Sequence, residues 1–215
     1  MPRFRGVILD LDGVVVDSEP LHLESFNVLL AKHGVRISPE RWRDRYTGKG
    51  EAQIWGLISN DFNLLIPNPR EERHRIYRAI ANVRLQTVRG LHEFLTFLES
   101  RGVKAIIATN GSAENVLLEI RVARVEHLPR VTKAMVMHPK PAPDLFLLAV
   151  ERLDLSPKAC VAIDDSPTGI TAAKSAGIVA IGMLTTVGEH ALHDAGADYV
   201  VRDFVELLEK HKGLF

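Results

Sequence analysis

Two aspartates, Asp10 and Asp12, stand at the end of the apolar run Gly6–Leu9 in the stretch GVILDLDGVVVDS. If the extended geometry of that run persists to its end, the spacing of two puts both side chains on one side of the chain. Aspartate is depleted in strands and a buried carboxylate is costly without a partner. Two of them at the mouth of an apolar strand therefore call for a partner, most simply a cation. Gly13 then lets the chain turn sharply, or lets a ligand approach the backbone. Taken alone, the same string equally describes a strand end with two solvated acids and a glycine turn.

Three further strand ends carry related chemistry. The run Val103–Thr109 leads into Asn110, Gly111 and Ser112; Val131–Met137 leads to Lys140-Pro141-Ala142-Pro143-Asp144; Ala159–Ile163 leads into Asp164, Asp165 and Ser166. Thr109 and Asn110 offer hydroxyl and amide donors, and Ser112 stands as a helix N-cap where free backbone N–H groups favour an anion. That chemistry suits a phosphate, although an ordinary strand-to-helix turn has the same composition. Pro141 and Pro143 restrict the backbone beside Lys140, which by itself reads as a surface lysine before a proline-capped helix. Asp164 and Asp165 repel each other: at about 4 Å and an effective dielectric of about 20, a like-charge pair costs roughly 4 kcal/mol. Four carboxylates at one cleft would demand a divalent cation and a nearby lysine. Oxygen ligands without a His or Cys cluster favour a hard ion, Mg²⁺ first.

The elements that must position these residues follow from the apolar pattern. After Ser18 the chain reads as helical, with a stripe from Leu21 to Leu30 and Gly34 after it, then helical stretches around Pro39–Tyr46, Glu51–Asn60 and Arg70–Asn82. No convincing strand falls in this block. From Gly90 strands and helices alternate, with further strands expected at Ile178–Leu184 and Ala197–Val201 and helices at Leu91–Arg101, Pro143–Leu153, Pro167–Ala176 and Asp203–Lys210. Alternation of this kind implies parallel βαβ units, with ligands beyond the carboxyl ends of the strands. The expected fold is thus α/β, a doubly wound parallel sheet (Rossmann-like core) from residues 1–15 and 87–215, with residues 16–86 inserted as a helical module.

Whole-chain properties narrow the partner. With 27 basic and 27 acidic residues the formal charge is zero, which argues against nucleic acid or an anionic membrane and for a small molecule. Cys160 is the only cysteine, so no intrachain disulfide forms. No apolar run approaches the roughly 18 residues of a membrane helix, and Asp10 and Asp12 interrupt what would otherwise resemble a signal sequence. A cytoplasmic protein is expected, a monomer first and a dimer second.

The motifs DLDGVVVDS, ATNGS, KPAPD and IDDS, in that order and with a helical insert after the first, resemble the four motifs of the haloacid dehalogenase superfamily of phosphohydrolases. The insert resembles the helical cap of the subgroup containing β-phosphoglucomutase and phosphoglycolate phosphatase. The resemblance implies Asp10 as nucleophile, Asp12 as general acid and base, and Lys140 as the catalytic lysine. It also implies Mg²⁺ held by Asp10, the backbone carbonyl of Asp12, and Asp165, with Asp164 contributing. Thr109 and Asn110, with Gly111 beside them, and Lys140 match phosphate-holding positions, while His22, Gly48 and Lys49 match cap positions that can meet substrate. His138-Pro139 before Lys140 and Arg89-Gly90 on leaving the insert depart from the family's usual residues.

The activity so implied is a Mg²⁺-dependent phosphatase acting through an aspartyl phosphate on a small phosphorylated metabolite, a sugar phosphate or phosphoglycolate. A sugar phosphomutase is the alternative, and it needs a cation for the distal phosphate where the resemblance aligns Glu51 of this chain. A receiver-type signalling module uses similar residues but puts its acidic pair first along the chain. A true dehalogenase usually lacks the second aspartate, here Asp12.

Overall fold

A computed structural model describes residues 3–215, so the first two positions of the expected core lie outside the description. Six strands, β1 (Gly6–Leu9), β2 (Lys104–Thr109), β3 (Arg130–Thr132), β4 (Cys160–Asp164), β5 (Val179–Met183) and β6 (Tyr199–Val201), form one sheet in the order β3-β2-β1-β4-β5-β6. Every pairing is parallel. Ten α-helices are named in chain order: α1 (Glu19–Ala31), α2 (Pro39–Arg45), α3 (Glu51–Phe62), α4 (Pro69–Arg84) and α5 (Leu91–Ser100), then α6 (Ala113–Val122), α7 (Asp144–Leu153), α8 (Pro167–Ser175), α9 (Glu189–Asp194) and α10 (Phe204–His211). No helix among the described residues is long and apolar enough to cross a membrane.

The buried run GVIL becomes the sheet's central strand because both of its faces are covered. Val7 and Leu9 point into a cluster with Ile107, Ile163, Phe94 and Phe204, the last two stacked with centroids 4.9 Å apart. Ile8 points the other way, toward Ile106, Ala162, Phe146 and Ile170. From β1 the chain builds outward on one side through β2 and β3, then crosses to β4, β5 and β6 on the other. The switch point, where ligands of such sheets bind, therefore lies at the carboxyl end of β1.

Helices α1 to α4 supply no strand to this sheet. Phe26, Leu30, Ile37, Trp42, Tyr46, Ile54 and Ile58 form a separate apolar cluster within them, whereas Tyr77 and Ala81 of α4 join the core of the sheet. The two chain crossings between these helices and the sheet run side by side: Val16 bridges Thr87 antiparallel, Asp17 N–H donates to the Gln86 carbonyl at 2.9 Å, and Val88 N–H donates to the Val15 carbonyl at 3.2 Å.

One expectation is corrected. The strand expected over Val131–Met137 ends at Thr132, and a 3₁₀ turn over Lys133–Met135 follows. β3 is an outer strand whose only partner, β2, stops at Thr109 opposite Thr132, so the ladder has nothing to continue on. Met135 and Met137, whose apolar character suggested strand, are exposed. The sequence reading also missed α9, a helix of 6 residues with one buried side chain, Leu192, too short to register a period.

Candidate active site

The pairing register brings the four strand-end loops together. Leu9 lies opposite both Ile107 and Ile163, and the Asp10 N–H donates to the Ile163 carbonyl at 2.9 Å, so Asp10 emerges beside Asp164 and within one strand of Thr109. Asp164 is the last residue of β4, fully buried, and Asp165 begins the turn into α8. Lys140 reaches in from the loop before α7. Its Nζ donates to Asp10 Oδ1 at 2.7 Å and to Asp164 Oδ2 at 2.8 Å. The Asn110 side chain fastens that loop, since its Nδ2 donates to the Lys140 carbonyl at 3.2 Å while its Oδ1 accepts from the Lys140 N–H at 3.3 Å. Thr109 Oγ1 accepts from the Gly111 N–H at 2.9 Å, and Ser112 caps α6 by accepting from the Asn115 N–H.

Ser166 secures Asp164. Both its N–H, at 3.0 Å, and its hydroxyl, at 2.7 Å, donate to Asp164 Oδ1, and the same hydroxyl oxygen accepts from Gly169 N–H at the start of α8. The Thr186 hydroxyl, in the loop after β5, donates to Asp165 Oδ2. Gly13 sits at φ +70°, and a Cβ there would collide with Asp165 Oδ2. The glycine is thus required both by its left-handed backbone and by the carboxylate packed against it.

Asp12 turns away from this cluster. Its Oδ1 accepts from the Ser18 hydroxyl at 2.6 Å and lies 3.3 Å from His22 Nε2, both on the side of the helical segment. His22 in turn lies 3.3 Å by Nδ1 from the buried Arg73 guanidinium of α4. Arg73 donates to Glu51 Oε1 at 2.6 Å, and His74 Nε2 lies 2.8 Å from Glu51 Oε2. Glu19 Oε1 accepts from Trp42 Nε1 at 2.6 Å and from the Thr47 hydroxyl at 3.1 Å.

Most of these groups line one cavity of about 380 Å³ between the sheet and the helices. Asp10, Asp12, Lys140, Asp165, Thr109, Asn110 and Gly111 border it from the sheet side, and His22, Gly48, Lys49, Glu51 and Arg73 from the helical side. Asp164 lies beneath, in contact through Lys140. Glu19, Arg73 and Thr186 were not singled out from the sequence. The apolar periodicity of α1 and α4 carries no mark that separates a cavity-facing charge from a solvated one, and Thr186 follows its strand without any motif.

Three carboxylates against one ammonium leave the buried cluster with an excess of negative charge. Burial, with Asp164 adding to it and Lys140 opposing, pushes Asp10 up to about 7. Burial and then the charges of Asp164 and Asp10 raise Asp165 well above the usual carboxylate range. Lys140 is raised: burial disfavours its charge, but Asp10 and Asp164 outweigh that and keep it an ammonium. Burial likewise opposes ionisation of Asp12, yet the contacts from His22 and Ser18 win and hold its carboxyl below the ordinary value. Asp10, Asp164 and Asp165 each offer an oxygen, all within 4.8 Å of one another. An all-oxygen, buried, over-acidic set of this kind fits a hard divalent cation, which would relieve the charge excess directly.

Comparison with known proteins shows the family of the chain. A family model described as haloacid dehalogenase-like hydrolase matches residues 4–177. A phosphorylated carbohydrates phosphatase of Thermotoga maritima is 30% identical over 204 residues, covering 92% of this chain and 94% of the relative. The β-phosphoglucomutase of Bacillus subtilis is 27% identical over 225 residues, covering 94% and 91%. Among solved structures, a hydrolase of the same family from Deinococcus radiodurans with bound phosphate and sodium superimposes with a TM-score of 0.85 at 26% identity, over 99% of this chain and 97% of that one.

Proposed function

The chain belongs to the haloacid dehalogenase-like hydrolases and is a phosphoric monoester hydrolase, and from that premise we propose that it is a Mg²⁺-dependent phosphatase of small phosphorylated sugars working through an aspartyl phosphate. The observation that carries this reading is the opposite partnering of the two strand-end acids. Asp10 is tied to Lys140 and the buried carboxylates, whereas Asp12 is tied to Ser18 and His22 across the cavity.

In this reading Asp10 attacks phosphorus, the bond to the leaving oxygen breaks, and Asp12 gives that oxygen its proton. Asp12 then takes a proton from the water that attacks the aspartyl phosphate, and the Asp10 carboxylate is released. The ionised Asp12 of this structure matches the second, base step. A phosphate dianion bound beside it favours the proton needed for the first, because like charge raises a carboxyl pKa. Lys140 offsets the charge of the entering phosphate, and Thr109, Asn110 and the Gly111 N–H offer it hydrogen bonds. Asp10, the Asp12 carbonyl and Asp165, with Asp164 contributing, would hold Mg²⁺, which when bound screens the nucleophile from the phosphate. Residues 16–86 act as a helical cap over a core of 1–15 and 87–215 and, when closed, exclude water from that step.

The names of two relatives, one a carbohydrate phosphatase and one a phosphoglucomutase, support a sugar phosphate as substrate but leave two outcomes. Hydrolysis is favoured by Glu51. A mutase must grip the distal phosphate of a bisphosphate with a cation, ideally a bidentate arginine. Here Arg73 is engaged by Glu51 at 2.6 Å, and that carboxylate would repel a distal phosphate; of the cavity's remaining cations on the helical side, Lys49 is a point charge. Supplying a hexose 1-phosphate with a trace of the matching bisphosphate tests this. Free phosphate is expected to outrun the isomeric 6-phosphate, and the reverse would mean a mutase.

A further inference from the structure

Glu119 of α6 is fully buried, and its Oε1 accepts a 2.8 Å hydrogen bond from the hydroxyl of Tyr77 on α4. Its Oε2 has no partner. One turn earlier on α6, the buried Asn115 Oδ1 also lacks a donor. Each such atom gives up in the fold the hydrogen bonds that water supplies to the unfolded chain, so an apolar residue at 119 would pack the seam between α4 and α6 at less cost. A proton on Glu119 Oε2 would supply a donor beside Asn115, since side chains four apart on a helix meet. Burial, reinforced by the charges of Asp12 and Asp10, raises the Glu119 carboxyl in the direction this requires.

What the acid holds in place is Tyr77. The Tyr77 ring lies nearly parallel to that of His22, with centroids 4.4 Å apart and planes 13° from parallel. Hydrogen bonds to Asp12 and Arg73 fix where the two edges of His22 reach, but they leave the ring free to tilt about the line between them. The flat face of Tyr77 removes that freedom. Tyr77 is fully buried and does not border the cavity, so it touches no substrate.

We propose that Tyr77, anchored by Glu119 through its hydroxyl, is a positioning residue for the proton that Asp12 donates to the leaving oxygen and acts by setting the ring plane of His22. The pair thereby ties the acid–base step to the seating of α4 on α6. This rests on the assignment of Asp12 as general acid and base.

The test compares two esters. Breaking the ester bond of a sugar phosphate sends its electron pair to an alkoxide-like oxygen that needs the proton of Asp12, whereas 4-nitrophenolate leaves without one. Tyr77→Leu is expected to lower kcat/KM on the best sugar phosphate, which reports only the steps through departure of the leaving oxygen, roughly tenfold, a fraction of the 10²–10⁴ that general acid catalysis supplies. Its kcat/KM on 4-nitrophenyl phosphate is expected to fall less than about twofold, and Tyr77→Phe, which keeps the ring but loses the hydroxyl anchor, is expected to recover part of the loss on the sugar phosphate. Should Tyr77→Leu not fold, Glu119→Leu, which frees the ring without removing it, is expected to give the same ester-selective loss at smaller size. Equal losses on both esters, or no loss on the sugar phosphate, would overturn the proposal while leaving the phosphatase standing. Wild-type protein that releases phosphate from neither ester would overturn the phosphatase reading itself, and this inference with it.

Discussion

Asp10 and Asp12 stand two residues apart and differ in every partner, and the difference predicts how each fails. In Asp10→Asn the amide oxygen can still accept from Lys140, so the fold is expected to persist while turnover disappears. Asp12→Asn is expected to cost about 10²–10⁴ in kcat with Mg²⁺ affinity largely kept, because its proposed metal contact is through the backbone. Calorimetric titration that finds its metal loss as large as that of Asp165→Asn would overturn this division. Glu51 gives a pH-dependent prediction. Burial works against its charge, but His74 and Arg73 outweigh burial and hold it at about 2 against an ordinary 4.5. An acid depressed on folding contributes stability above its unfolded pKa and loses it as pH falls through the folded one. Glu51→Gln is therefore expected to destabilise the protein by about 2 kcal/mol at pH 7, with the gap closing between pH 4.5 and 2. Urea unfolding that finds a pH-independent gap would contradict it.

The turn from β1 carries the same argument to the scale of an element. Gly13→Ala would place a methyl group against Asp165 at a left-handed φ, so the turn, the carboxylate, or both must shift. Expected is a loss of at least about 1 kcal/mol in stability together with weakened Mg²⁺ binding; unchanged affinity would mean that Asp165 is not held by this turn. The strand ends were legible in the sequence because chemistry there interrupts an apolar run: DLDG, TNGS and IDDS all stand out against Val, Ile and Leu. β3 was overread, since the apolar residues after Thr132 continue a strand-like pattern although β2 has ended and cannot pair with them. α4 shows the opposite limit. Arg73, Tyr77 and Arg84 fall on a charged helix whose pattern does not say that the first two turn inward and the last outward.

For the whole molecule, the alternation after Gly90 sufficed to read an α/β chain with a parallel sheet. What it could not give is the meeting of two distant segments, such as Lys140 with Asp10 across 130 residues or Tyr77 with Glu119 across 42. Those contacts depend on sheet order, which no local pattern encodes. The molecule's central feature is the confluence at the β1 switch point of three buried carboxylates and one lysine, faced by a helical segment entering and leaving through adjacent crossings. The most direct test is release of inorganic phosphate from a panel of sugar phosphates and phosphoglycolate, by wild type and Asp10→Asn, with Mg²⁺ and with the metal chelated. The prediction is release from at least one sugar phosphate that is lost on chelation and in Asp10→Asn; release that survives both, or none from any panel member in the presence of Mg²⁺, would contradict it.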